Sequence, residues 1–218
     1  LQIIAELQVL TNGGLTKIKP RDGLVLAEVV HPYLSKDAES SLGKIVYTKN
    51  LYINSCYRTV AQQMILYQNA KRCGLVAAKP GKSNHQSGLA IDINDSHYWM
   101  EQLESVGWNK LGSFDDMHFD FPGDNLQKLS VKAFQVLANK NNYSLTTDGE
   151  LGAKTLYALS NAPVEGFENA LIPRKLIFTE PQQHGDDVKE LQKKLGLNIA
   201  DGWFGKETDL ALKNGIKN

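Results

Sequence analysis

Long apolar runs, an excess of charge of either sign and a dense set of cysteines are all missing from this chain of 218 residues. No apolar stretch approaches the roughly 20 residues that cross a bilayer, and the opening L-Q-I-I-A-E-L-Q-V-L is not a basic leader followed by an apolar core. A start at Leu1 without methionine suggests trimming, and a mature chain freed of its signal would look the same. Lysine plus arginine equals aspartate plus glutamate at 24 each, and up to Asp124 the count is 12 basic against 13 acidic. Neither half is an electrostatic trap for nucleic acid.

The only cysteines, Cys56 and Cys73, flank a segment with the marks of a helix. Thr59 and Gln62 form a capping box, Val60, Met64 and Tyr67 share a face, Lys71 and Arg72 occupy the last turn, and Gly74 ends it. Such a helix rises about 20 Å at 1.5 Å per residue, and a disulfide needs Cα atoms within about 7 Å. Two free thiols are predicted, which favours folding in a reducing compartment.

The second half holds a degenerate repeat. V-K-A-F-Q (131–135) answers to V-K-E-L-Q (188–192), and D-G-E-L-G-A-K-T (148–155) to D-G-W-F-G-K-E-T (201–208). Each copy reads as a helix, a D-G turn and a short helix carrying Leu156 and Leu159, or Leu210 and Leu212. One copy is too small to close a core, so the two are expected to pack together as one all-α domain. The proline-bearing connector between them includes an apolar stretch from Leu171 to Phe178. The break between halves is placed at F-P-G-D-N, giving domains 1–124 and 125–218.

The first half mixes types. L-Y-I-N-S and L-A-I-D-I-N alternate as strands do, while the segment after Thr59 and the segment Ser96 to Gly107 read as helices, the latter burying Trp99, Leu103 and Val106. This is an α+β domain with a small antiparallel sheet and flanking helices.

In L-A-I-D-I-N, alternation sends Leu89, Ile91 and Ile93 to one face and Asp92 to the other. His85 lies upstream in S-N-H-Q-S-G, where Gly88 can bend the loop so that both side chains converge. F-D-D-M-H-F-D offers His118 on a short strand. Three ligands, His85, Asp92 and His118, leave a fourth position for water, the arrangement of catalytic rather than structural zinc. A nearby carboxylate that is not a ligand can then take the proton of that water. Asp115 is the choice for this general base over Asp116, which points differently. Arg58, at the junction of a strand and the capped helix, can present a two-pronged donor to a carboxylate. The bland alternatives are that Asp92 caps the Ser96 helix, that His118 is a buried, hydrogen-bonded histidine and that Arg58 makes an ordinary ion pair. His31, His97 and His184 read as surface or structural histidines, with His97 the one spare near the site.

Together these residues resemble the zinc D,D-carboxypeptidase or VanY family of peptidoglycan peptidases, which includes phage L-alanyl-D-glutamate endopeptidases. The family pattern of serine, histidine, glycine, alanine and aspartate is filled by Ser83, His85, Gly88, Ala90 and Asp92. Asp115, His118 and Phe119 fill its second block, and Ser55, Tyr57 and Arg58 its Ser-x-Tyr-Arg block. The resemblance implies a hedgehog/D,D-peptidase-like fold, Zn2+ held by His85, Asp92 and His118, Asp115 as base, and Arg58, Ser83 and Tyr57 at the substrate. An aspartate base leans towards the endopeptidase branch, although some D,D-peptidases share it. Where some members carry a histidine two residues before the last ligand, this chain has Asp116.

The repeat resembles the helical peptidoglycan-binding domain. Its second copy matches through Asp187, Val188, Leu191, Gln192, Leu195, Asp201, Gly202, Gly205 and Thr208, and its first keeps Asp148, Gly149, Gly152 and Thr155. The resemblances imply a monomeric endolysin-type L-alanyl-D-glutamate endopeptidase, made in the cytoplasm and acting on the wall. A secreted or periplasmic D-alanyl-D-alanine carboxypeptidase and a non-catalytic wall-binding protein are the alternatives.

Overall fold

The computed structural model describes residues 1–74, 76–112, 115–163, 166–170, 178, 180, 182 and 186–215. The apolar stretch Leu171–Phe178, apart from Phe178, and His184 lie outside the described residues. The chain divides into two compact units, Gln2–Ala170 and Leu171–Asn218.

In the first unit, helix α1 (Gln2–Thr11) precedes strands β1 (Thr16–Lys17), β2 (Leu24–Leu26) and β3 (Tyr33–Leu34), helix α2 (Lys36–Leu42) and strand β4 (Leu51–Ser55). Helix α3 (Val60–Arg72) and a 3-10 turn, Asn84–Ser87, lead to β5 (Ala90–Ile93), α4 (Ser96–Ser105), β6 (Asn109–Lys110) and β7 (His118–Asp120). Helices α5 (Gln127–Asn139) and α6 (Ala153–Ser160) complete it. The main sheet has the order β2-β4-β5-β7-β6, and β1 pairs β3 in a separate ribbon. An all-antiparallel sheet was expected, but β2 runs parallel to β4, joined by a crossover that contains α2.

Local signals act where they were read. The Thr59–Gln62 capping box closes reciprocally, and α3 runs to Arg72 with Gly74 beyond it at φ +70°. Both cysteines are free, Cys56 buried and Cys73 exposed. Leu51, Ile53, Ile91, Ile93 and Phe119 face a core shared with Leu42, Trp99, Leu103 and Trp108, whose indole donates to Ser41 Oγ at 2.8 Å. Period two therefore turns Asp92 and His118 to the opposite face of the sheet.

A second core is built by Ile3, Ile4 and Leu7 of α1, Tyr57 and Val60, and Val131, Phe134, Leu137 and Ala138 of α5. An ion pair between buried Glu6 and Lys140 joins the same two helices. The compact unit that holds the sheet runs past the break expected at Asp124 to Ala170. The first repeat copy contributes α5 and α6 to the unit that holds the sheet. The apolar face of α5 announced burial, but its partner, α1, lies more than a hundred residues away along the chain.

The second unit carries α7 (Asp186–Lys194) and α8 (Lys206–Gly215). Its turn repeats that of the first copy bond for bond. Gln135 Nε2 donates to Asp148 Oδ1, the Glu150 carbonyl and Thr155 Oγ1, while its Oε1 accepts from Gly149 N. Gln192 does the same with Asp201, Trp203, Thr208 and Gly202. Gly149 and Gly202 sit at φ +77° and +82°, which a side chain would strain.

Candidate metal centre

Three neighbouring strands place the site in one row. Asp92 on β5 pairs directly with His118 on β7, and on its other side with Ser55 on β4. The second pairing depends on a register shift: Ile53 opposes Ile93, yet Ser55 opposes Asp92 rather than Ile91. This bulge re-aims Ser55 towards the carboxylate.

His85 comes from the 3-10 turn, which ends at Gly88 with φ +65°. A Cβ there would stand 2.8 Å from both Leu15 Cδ2 and Ser35 N, so both the dihedral angle and the space demand glycine. The bend brings His85, only 2% exposed, back against the strands. Its Nδ1 donates to the Cys56 carbonyl at 2.6 Å, leaving the Nε2 lone pair free to face inward.

The donor atoms converge. His85 Nε2 is 3.3 Å from His118 Nδ1 and 3.3 Å from Asp92 Oδ1, and His118 Nδ1 is 2.9 Å from the same oxygen. Zinc bonds of about 2.0 to 2.1 Å in a tetrahedron require ligand atoms about 3.3 Å apart. The triangle fits that requirement, and two imidazoles with one carboxylate form a zinc donor set.

Electrostatics follow from crowding. Burial lowers the pKa of His85. It also pulls on His118, but hydrogen bonds to Asp120 and Asp92 outweigh it and raise that imidazole to about 9. Burial would raise Asp92, yet both histidines and Arg58 hold it well below the usual carboxylate range.

Arg58 makes an ion pair, as the bland alternative had it, but with a ligand. Its Nη2 donates to Asp92 Oδ2 at 2.9 Å, Nε to Ser55 Oγ at 3.0 Å and Nη1 to Gln63 Oε1 at 3.0 Å. Beside it opens a cavity of about 350 Å³, walled by Val29, Val30, Leu66 and Gln62 and reaching Asp92. Asp115 is half-buried in the turn before β7; its carbonyl accepts from His118 N at 3.2 Å and its charge acts on Arg58. Asp116 is engaged elsewhere, by Lys110, Ser96 and His97. His97 thereby belongs to that exposed cluster, and Asp95 rather than Asp92 stands at the head of α4.

Tyr57 is among the residues lining that cavity, while its hydroxyl, 1% exposed with its residue, lies 3.3 Å from Ser130 Oγ in the α1–α5 core. Ser83 is buried at the head of the 3-10 turn and is not among the walls of the cavity beside Arg58. Asp120 escaped the sequence reading although it was legible: two residues after His118 on one strand, it shares the face of that histidine.

Residues 38–121 match the family model VanY, described as D-alanyl-D-alanine carboxypeptidase. The protein carries a zinc peptidase domain. The stretch similar to that family contains His85, Asp92 and His118, together with Asp115 and Arg58. Among solved structures, the LdcB LD-carboxypeptidase is 17% identical over 62% of this chain and 75% of its own, with a TM-score of 0.38. The vancomycin-resistance D,D-pentapeptidase VanY, solved with Zn(II), is 18% identical over 50% of this chain and 84% of its own, with a TM-score of 0.35. No curated protein matches the chain.

Proposed function

We propose that the protein hydrolyses peptidoglycan stem peptides, with the L-alanyl-D-glutamate bond as its target. The observation that carries the peptidase reading is the triangle of His85 Nε2, Asp92 Oδ1 and His118 Nδ1 beside an open cavity. His85, Asp92 and His118 would hold a zinc ion there, which would supply Lewis acidity towards a scissile carbonyl and an attacking water. Asp115 takes the proton of the attacking water and returns one to the leaving amine. Arg58 keeps Asp92 oriented through one N–H, and its terminal nitrogens each retain a second hydrogen for a substrate carboxylate or carbonyl. The aliphatic wall of Val29, Val30 and Leu66 suits small side chains such as alanine.

The aspartate base and the repeat support the endolysin-type reading. An enzyme made in the cytoplasm tolerates two free thiols, and a tether to an insoluble polymer raises the local concentration of substrate. The description of the matched family favours a second reading, removal of the terminal D-alanine. Mass spectrometry of products from purified sacculi separates them. New L-alanine and D-glutamate ends are expected; free D-alanine without stem cleavage replaces the first reading with the second, and no product from zinc-loaded protein ends both.

A further inference from the structure

His118 is held at both ring nitrogens. While Nδ1 faces Asp92 and His85, Nε2 lies 2.8 Å from Asp120 Oδ1. A carboxylate can only accept, and Nδ1 also faces one, in Asp92; a metal taken at Nδ1 would leave the ring hydrogen on Nε2, donated to Asp120. The Asn84 side chain lies beside Asp120 and acts on its carboxylate. Asn84 Oδ1 in turn accepts from Gln127 Nε2, at the first turn of α5, at 3.0 Å. With Oδ1 so engaged, the amide nitrogen of Asn84 is the end left for Asp120. Two more bonds clamp the same junction, from Leu126 N to Ser87 Oγ at 2.9 Å and from Ser87 Oγ to Asn125 Oδ1 at 3.3 Å. Since the 3-10 turn bearing Asn84 and Ser87 also bears His85, the start of α5 braces the supports of two ligands.

We propose that Asp120 is a positioning residue that fixes the ring and tautomer of His118, and that Asn84 and Gln127 extend this hold to helix α5. The start of helix α5 is then a working part of the metal centre. Partners of this kind raise the basicity of a ligand and restrict its rotation, and their loss weakens metal binding by about 10- to 100-fold. The inference rests on the zinc-site reading but not on which peptide bond is cut.

The test is zinc affinity of the full-length protein, measured by competition with a chromophoric chelator and independent of any substrate. Asp120→Ala should weaken zinc binding by about 10- to 100-fold, whereas Asp120→Asn, whose Oδ1 can still accept from Nε2–H, should restore most of the loss. Gln127→Ala should weaken binding by a smaller factor, and not at all in the Asp120→Ala background. In zinc-loaded wild type, ¹⁵N–¹H correlation spectra should show the His118 hydrogen on Nε2, a readout that stands even where a variant fails to fold. A hydrogen on Nδ1, wild-type affinity in Asp120→Ala, or an Asp120→Asn loss as large as that of alanine would overturn the role of Asp120. An undiminished Gln127→Ala effect in the double variant would overturn the link to α5.

Discussion

The two oxygens of Asp92 are divided between partners: Oδ2 takes Nη2 of Arg58 at 2.9 Å, while Oδ1 faces His85 and His118. Arg58 is thus bound to the ligand set before any substrate arrives. Replacing it by alanine leaves a largely buried carboxylate short of its charge partner, at a cost of about 3 to 5 kcal/mol to the metal-free fold. Arg58→Ala should lower both the thermal midpoint and zinc retention. A rise in KM with both unchanged would confine Arg58 to the substrate.

Asp115 and Asp116 are neighbours with different employment. Asp115→Ala should reduce kcat on sacculi by about 10²- to 10⁴-fold, the usual worth of a positioned proton carrier, with the zinc content intact. Asp116→Ala, which removes partners of Lys110 and His97 on an exposed surface, should leave kcat nearly unchanged. Equal losses in the two variants would remove the assignment of Asp115.

Burial pushes the Cys56 thiol up to about 11, while Cys73 is exposed. One thiol should react at once with a disulfide reagent and the other only on unfolding. An acid whose folded pKa is raised stabilises the fold fully below its unfolded value and loses that contribution as pH climbs through the folded one. Chemical unfolding should therefore show stability falling between about pH 9 and 11, by up to about 3 kcal/mol from this group at 1.36 kcal/mol per pKa unit. Burial raises Tyr57 as well, adding to the alkaline loss. Cys56→Ala should flatten the Cys56 share of the slope, and an unchanged slope would assign the loss elsewhere.

Helix α5 shares its core with α1 and Tyr57, so truncation is sensitive to position. A chain ending at Asp124 should lose cooperative thermal unfolding by circular dichroism, because Ile3, Ile4 and Leu7 lose the face they pack on. A chain ending at Ala170 should keep it. Cooperative unfolding of the shorter chain would restore the boundary at 124.

Much of the site was legible because its information is local. Alternation in L-A-I-D-I-N determines which side of a strand Asp92 takes, Gly88 is required by one positive φ, and Thr59 with Gln62 closes a cap within one turn. The employment of Arg58 was not legible, since Ser55, Gln63 and Asp92 reach it from three different elements. Neither was the bulge that turns Ser55 to Asp92, because no sequence period marks an extra residue in one strand.

By itself the sequence picked out His85, Asp92 and His118 as a candidate donor set, the helix that keeps two cysteines apart and the paired D-G turns, for each rests on short local patterns. Only the tertiary structure decided that β2 runs parallel to β4, that Tyr57 turns its hydroxyl to Ser130, and that α5 joins the peptidase unit. An apolar face states that a helix will be buried. Which surface buries it is settled by contacts between distant segments, and here that surface is α1 together with the back of the metal site.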